Sequence, residues 1–274
     1  MENDNKKYFN VSLLGNLDSG KCSLARTLNI ATNCISVPNM FKVGNDCFNI
    51  LPFPCHPRLE YEEKYDICTS MGELAIILFS EEFFGEKKTS LVQKYKEEVL
   101  KLAHKGIKHI VFCLNKIDSF QLDEEQFLSF TNELNMDGLL KIYSDCFLSR
   151  PDIYYVPISA KECFNISENI NLDVKSSWYK GLSLFDTLRI ISSKLRTVAE
   201  ELEGREARFL IYDSYRDEDY FVISGKLLEG KIFFNQEYQL CPLGRKVTIE
   251  KICDCQGIYV TEISPFSFSS VNSF

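Results

Sequence analysis

Gly15, Gly20 and Lys21 stand at the spacing of a loop that holds phosphate. In the stretch NVSLLGNLDSGKCS, Asn10 to Ser23, a short apolar strand (Val11, Leu13, Leu14) runs into Gly15, followed by four residues and then Gly20-Lys21. Glycines let the backbone turn sharply and aim a run of N–H groups inward. A helix beginning near Lys21 adds the positive end of its dipole, and the lysine ammonium reaches the terminal phosphates. The candidate phosphate site is therefore Gly15, Asn16, Leu17, Asp18, Ser19, Gly20, Lys21, Cys22 and Ser23. A Mg²⁺-dependent site of this type needs a hydroxyl directly after the lysine, to ligate the metal. Here that position is Cys22, a poor ligand for a hard cation, and Ser23 comes one place too late.

Two further short runs suit a purine base. Asn115-Lys116-Ile117-Asp118 follows an apolar run, Ile107 to Leu114. At a strand's carboxyl end, the Asp118 carboxylate can accept two N–H bonds from the N1 and N2 edge of guanine, and the Lys116 stem can lie against the ring. Adenine offers a lone pair and no amine on that edge, so it would leave the carboxylate unpaired, a mismatch worth ~10⁴ in discrimination. Ser159-Ala160-Lys161 follows another apolar strand, and its backbone N–H is placed to meet the guanine O6. Each run alone also reads as an ordinary surface loop. Taken in order, each at the carboxyl end of a strand, the three point to a guanine nucleotide, GTP or GDP.

The elements that must position these loops alternate. The first loop leads into a helix through Leu24, Leu28 and Ile30, and a strand pair follows, Met40 to Val43 and Cys47 to Leu51, around the turn Gly44-Asn45. Pro52 to Arg58 (PFPCHPR) must be a loop, because proline removes donors and bars helix. Glu60 to Met71 has room for a short helix. Leu74 to Phe79 (LAIILF) is apolar throughout, as in a parallel-sheet strand buried on both faces. Leu91, Val92, Tyr95, Val99, Leu100 and Leu102 recur at helical spacing between Ser90 and Gly106. Amphipathic stretches follow at Glu124 to Leu134 and Asp137 to Phe147, then a strand at Ile153 to Ile158 and a closing helix at Leu182 to Leu195. The fold class expected is α/β: a P-loop domain with a parallel-type sheet. The charged run Arg196 to Arg208 reads as a linker. Beyond it lie six short strands without helices, the pattern of a small β-barrel, and a serine-rich end, Phe266 to Phe274, that reads as frayed. The expected domains are 1–197 and 207–274.

The chain has 274 residues and 45% hydrophobic content, enough for a real core. Its 31 basic and 39 acidic residues give a formal charge of −8, which excludes a globally basic DNA-binding protein. No apolar run approaches the ~20 residues that cross a bilayer. Eleven cysteines sit without zinc-site or redox-motif spacing beside three histidines, which suits reduced, mostly buried thiols in a cytoplasmic protein.

Over residues 8 to 195 the chain resembles the translational GTPases of the elongation factor 1 alpha, eukaryotic release factor 3 and Hbs-type ribosome-rescue group. The likeness rests on NVSLLGNLDSGK, CLNKID, VPISAKECFNI and SSWYKGLSLFDTL. Val156-Pro157-Ile158-Ser159 followed by Trp178-Tyr179-Lys180-Gly181 carries the fullest match, and the wording WYKG leans towards the Hbs-type branch. The barrel region resembles the family's second domain through Tyr220 to Gly225 and Leu227 to Gly230. The resemblance implies GTP or GDP as ligand and the ribosome or a decoding-factor-like protein as partner, with a role in translation or ribosome quality control.

The departures from the family pattern matter as much. The family's histidine after the first glycine is Asn16, and its Mg²⁺-ligating Ser or Thr is Cys22. Its Asp-Ala-Pro-Gly-His is Pro52-Phe53-Pro54-Cys55-His56, so the aspartate behind the metal's water and the glycine that senses the γ-phosphate are both replaced. His56 alone stands at the position that orients the attacking water in the family, and its simpler reading is a loop histidine kept by descent. The span from Lys21 to Pro52 is short for the family's long switch I. Phosphoryl transfer depends on positioned charge, so these losses remove much of the transition-state stabilisation and leave Mg²⁺ in doubt. The family's third domain is not matched, which puts tRNA binding in doubt. The expectation is a degenerate, pseudo-GTPase-type nucleotide binder. A GTPase stimulated by the ribosome or a partner, and an interaction module that binds no nucleotide, are the alternatives. Tyr212, Tyr215, Tyr220 and Phe221 could form a contact surface, although packing in the barrel core is the simpler expectation.

Overall fold

The computed structural model describes residues 7–32, 39–51, 66, 69–86, 88–120, 122–136, 151–167, 178–217, 220–254, 257–266 and 268–273. The chain divides into two compact units, with Val11–Ile191 in the first and Lys7–Asn10 together with Ser192–Phe274 in the second. The segments read as Asp137 to Phe147 and Pro52 to Arg58, together with most of Glu60 to Met71, lie outside the described residues.

The first unit is a six-stranded sheet in the order β2-β3-β1-β4-β5-β6. Its strands are β1 (Tyr8–Gly15), β2 (Met40–Val43), β3 (Asp46–Ile50), β4 (Leu74–Phe79), β5 (His109–Leu114) and β6 (Asp152–Pro157). β1, β4, β5 and β6 are parallel, with Gly15 opposite Leu78, Phe79 opposite Leu114, and Leu114 opposite Pro157. β2 and β3 form an antiparallel hairpin around Gly44, whose φ of 62° suits glycine. Every residue of β4 is buried, as a parallel strand covered on both faces requires. The helices α1 (Lys21–Ala31), α2 (Lys88–His104), α3 (Glu124–Met136) and α4 (Leu184–Glu203) lie between and after these strands.

One face of the sheet is sealed largely by aromatic rings. Phe79 lies 4.0 Å, centroid to centroid, from Tyr95 of α2, 5.0 Å from Phe130 of α3 and 5.8 Å from Phe112 of β5. Trp178 and Tyr179 pack against the same cluster, with ring centroids 5.5 and 5.6 Å from Phe127. The WYKG run thus lends its two rings to the edge of the core, while Lys180 and Gly181 are exposed. Helix starts are capped as the sequence allows. Asp123 Oδ1 accepts from Gln126 N at 2.7 Å while Gln126 Oε1 accepts from Asp123 N, and Ser183 Oγ accepts from Asp186 N at 3.1 Å.

The run Arg196 to Arg208, expected as a linker, is helical as far as Glu203. Leu195 and Ala199 continue the apolar stripe of Leu184, Leu188 and Ile191, and both are buried. The charged residues between them hide that stripe from a reading by composition.

The second unit is all antiparallel. It comprises β7 (Arg208–Asp217), β8 (Tyr220–Glu229), β9 (Ile232–Phe233), β10 (Glu237–Leu240), β11 (Arg245–Cys253), β12 (Tyr259–Val260), β13 (Glu262–Ile263) and β14 (Phe268–Ser273). The larger sheet runs β10-β11-β14-β8-β7, with β12 on β11, and β13 pairs with β9. The serine-rich end expected to fray is instead β14, hydrogen-bonded between β11 and β8. Backbone pairing is indifferent to side-chain polarity, so a strand between two partners needs no apolar pattern to be held. The segment Ile258 to Ile263, expected as one strand, splits into β12 and β13, which join different sheets. Leu227, Ile232, Ile249, Ile252 and Ile263 form the core. Tyr215 and Phe221, expected to pack there, are 55% and 54% exposed. They lie towards the tip of the long β7-β8 hairpin, at the opposite end from Leu227.

Within this unit Glu203 accepts from Lys7 at 2.7 Å and pairs with Lys231 at 3.0 Å. Burial disfavours the charged carboxylate, but the bonds from Lys7 and Lys231 outweigh it and hold the Glu203 pKa below its ordinary value. A depressed carboxylate contributes stability that is present above the ordinary glutamate range and is lost as pH falls through the folded-state pKa. Glu203→Gln should therefore lower stability by no more than about 1 kcal/mol at neutral pH. Denaturant titrations of the two proteins should converge as the pH is taken down through that acid range.

Candidate functional site

Three loops leave the sheet along one edge, because β1, β5 and β6 are parallel and each is followed by one of the runs singled out in the sequence. Carboxyl-end crevices of such sheets are where ligands bind. The first loop starts at Gly15 with φ +142°. A Cβ there would stand 2.6 Å from Ser19 Oγ and 2.7 Å from the Leu78 carbonyl, so no larger residue fits. Asp18 takes φ +59° and Gly20 φ +94°, and Ser19 N donates back to Asn16 O at 3.3 Å. Leu24 N to Gly20 O, 2.9 Å, then opens α1. That helix has no side-chain cap and no acidic residue in its first turn, so its positive end faces the loop unneutralised.

Lys21 folds over the loop and is buried. Its Nζ donates to Gly15 O at 2.8 Å and to Asn16 O at 2.6 Å, which holds the ammonium across the loop's mouth. Leu17, Asp18, Cys22 and Ser23 are exposed, whereas Ser19 is buried.

Asn115 joins this loop to the third. It is 1% exposed, its Nδ2 donates to Ser19 O at 2.9 Å, and its Oδ1 accepts from Ala160 N at 3.0 Å. A Cβ at Gly20 would run into Asn115 Nδ2, so the glycine is required by this approach as well as by its φ. Lys116 sits at φ +66°, and the exposed Asp118 follows. Asp118 Oδ1 accepts from Ser159 Oγ at 2.6 Å, and Ser159 Oγ accepts from Glu162 N at 3.1 Å. The carboxylate is thus fixed through one oxygen. Lys161 is exposed at the rim.

The structure therefore brings together Gly15 to Ser23, Asn115, Lys116, Asp118 and Ser159 to Lys161. His56 lies outside the described residues. Thr27 was missed in the sequence: its Oγ1 donates to Ala160 O at 2.7 Å and ties α1 to the third loop. No local pattern marks a contact across that much chain. A bound Mg²⁺ would take its hydroxyl ligand from the position after Lys21. Cys22 presents a thiol where a hydroxyl is needed, and the described residues contain no cluster of His, Cys, Asp or Glu able to hold an ion.

The architecture is that of a P-loop domain followed by an antiparallel β unit, and the chain resembles the translational GTPases. Among solved structures, the S. cerevisiae Ski7 GTPase-like domain bound to GDP and inorganic phosphate superposes with a TM-score of 0.66 at 13% identity, over 97% of this chain and 70% of that one. Elongation factor SelB from Methanococcus maripaludis, in complex with the GTP analogue GPPNHP, gives 0.61 at 17% identity, over 97% of this chain and 51% of that one. Sup35 complexed with GMPPNP gives 0.54 at 19% identity, over 100% of this chain and 65% of that one. At these identities the likeness is one of fold. Among curated proteins, sulfate adenylyltransferase subunit 1 of Shewanella oneidensis is 26% identical over 211 residues, 77% of this chain. That of Bacteroides thetaiotaomicron is 24% identical over 218 residues, 79% of this chain. The matched region spans only 39% and 40% of those proteins. No protein-family model matches the chain.

Asn115 gives the site a direct test. Asn115→Ala removes two buried hydrogen bonds and leaves Ser19 O and Ala160 N to find new partners, so it should cost about 2–3 kcal/mol in denaturant unfolding. Hydrogen exchange should rise in both loops and stay unchanged in the second unit.

Proposed function

We propose that this chain is a guanine-nucleotide-binding protein of translational-GTPase type whose site retains base and phosphate recognition without the Mg²⁺ chemistry of hydrolysis. The observation that carries it is the Asn115 bridge: one carboxamide sets the phosphate loop and the Asp118–Ser159 pair in register, as a ligand with a guanine at one end and phosphates at the other requires. Gly15 to Ser23 would hold the phosphates, with Lys21 supplying charge. Lys116 would lie along the base, Asp118 would accept from its N1 and N2 edge, and the backbone of the Ser159 to Lys161 loop would meet O6. The Ski7 GTPase-like domain, solved with GTP as well as with GDP and phosphate, and SelB with a GTP analogue support this ligand class.

With Cys22 in the metal position, the protein binds nucleotide as a stabilised scaffold and has little intrinsic turnover. The translation-factor neighbours support a cytoplasmic role at the ribosome or with a decoding-factor-like protein. A second reading, an active GTP-using subunit of a larger assembly, is favoured by the similarity to sulfate adenylyltransferase subunit 1.

Calorimetric titration with GTP and GDP, in Mg²⁺ and in EDTA, tests both. Binding that changes less than threefold on removing Mg²⁺ is expected. Asp118→Asn should transfer preference from guanine to xanthine nucleotides, because the amide donates to the xanthine O2 where the carboxylate accepted from the guanine amine. Absence of binding would overturn the proposal, and binding that required Mg²⁺, with turnover, would favour the second reading.

A further inference from the structure

Asn16, which stands where the resembling family has histidine, is held through its backbone and its side-chain oxygen. Its carbonyl accepts from Lys21 Nζ at 2.6 Å and from Ser19 N at 3.3 Å, so it both aims the lysine and closes the loop. Its backbone N–H donates to the hydroxyl of Tyr95. Its side-chain Oδ1 accepts from Lys94 Nζ at 2.8 Å. Two consecutive residues of α2 therefore hold one residue of the phosphate loop.

Tyr95 is the stronger of the two holds. Its ring is buried against Phe79, and its hydroxyl donates to Leu78 O at 3.1 Å while receiving the Asn16 N–H. Leu78 lies opposite Gly15 in the β1-β4 register, so the hydroxyl spans the point where the loop leaves the sheet. Burial raises the phenol's pKa, the bond from Asn16 N–H opposes this, and the nearby Glu82 charge adds to the rise, for a value of about 12. The hydroxyl therefore keeps its proton, and its bond to Leu78 O, throughout the physiological range. Lys94 is exposed, and its bond to Asn16 is worth correspondingly less.

We propose that Tyr95, assisted by Lys94, is a positioning residue for phosphate: it fixes Asn16, and through Asn16 the Lys21 ammonium, so that the loop is shaped from behind by α2 before a nucleotide arrives. This deepens the guanine-nucleotide reading and rests on it. Preorganised donors bind without reorganisation, which suits a site that lacks a metal to organise it.

Tyr95→Phe keeps the ring and deletes the two bonds. The expected result is about a tenfold weaker affinity for GDP, equivalent to about 1.4 kcal/mol. GMP, which engages less of the loop, should lose less than GDP, so the preference for GDP over GMP narrows. Exchange of the Asn16 amide should accelerate in the nucleotide-free protein. Lys94→Arg should behave as wild type, and Lys94→Met should lose two- to threefold in GDP affinity. Unchanged GDP affinity in Tyr95→Phe, or equal losses for GDP and GMP, would overturn the proposal and leave the nucleotide reading standing. If the wild type bound no guanine nucleotide, that reading would fall and the phosphate role with it. Equal Asn16 exchange in wild type and Tyr95→Phe would remove the clamp in either case.

Discussion

The carboxamide of Asn115 is the contact on which the arrangement of the site depends. It lies in the protein interior with both ends engaged, the donor on Ser19 O and the acceptor on Ala160 N. A buried amide that satisfies two separate loops is hard to replace, because removing it strands a partner on each side. Gly20 has no side chain because that amide needs the space. Thr27 closes the same circuit from α1 by reaching Ala160 O. The loops after β1 and β6 are thereby held as one surface, while the loop after β5 supplies the residue that joins them.

Charge at this surface comes from the protein. Lys21, drawn across the loop by two carbonyls, and the uncapped start of α1 put positive potential where phosphates would lie. A bound divalent ion normally adds the largest local charge to a phosphate site and inverts its electrostatics. Cys22 offers no hard oxygen for such an ion. Packing and hydrogen bonds shape the loop from the protein side, and the bond from Lys94 of α2 to Asn16 is a contact of that type.

The second unit follows different physics. Among the described residues its central cluster is Leu227, Ile232, Ile249, Ile252 and Ile263, with Phe209, Tyr238 and Val260 packed against it, and its strands are joined in antiparallel ladders. β14 shows this most clearly. A strand whose six residues include Ser269, Ser270, Asn272 and Ser273 is held between β11 and β8 because both its edges are paired. The exposed rings of Tyr215 and Phe221 lie towards the tip of the β7-β8 hairpin.

The sequence by itself marked out the three candidate runs, Gly15 to Ser23, Asn115 to Asp118 and Ser159 to Lys161, and the parallel α/β class that places each of them after a strand. These were legible because each depends on short spacing. Glycines at two fixed positions, an unbroken apolar strand, and an acidic residue just past a strand end leave marks within a dozen residues. Helical spacing likewise flagged Tyr95 as a core residue of α2, though not as a partner of Asn16. Tertiary structure alone decided that Asn115 bridges two loops, that Thr27 reaches Ala160 O, that Tyr95 and Lys94 hold Asn16, that the helix continues to Glu203, and that the serine-rich end is a central strand. The reason is the same in each case: a hydrogen bond between residues distant in the chain is selected by which backbone groups the fold brings within about 3 Å, and no residue type or spacing at either end records that encounter.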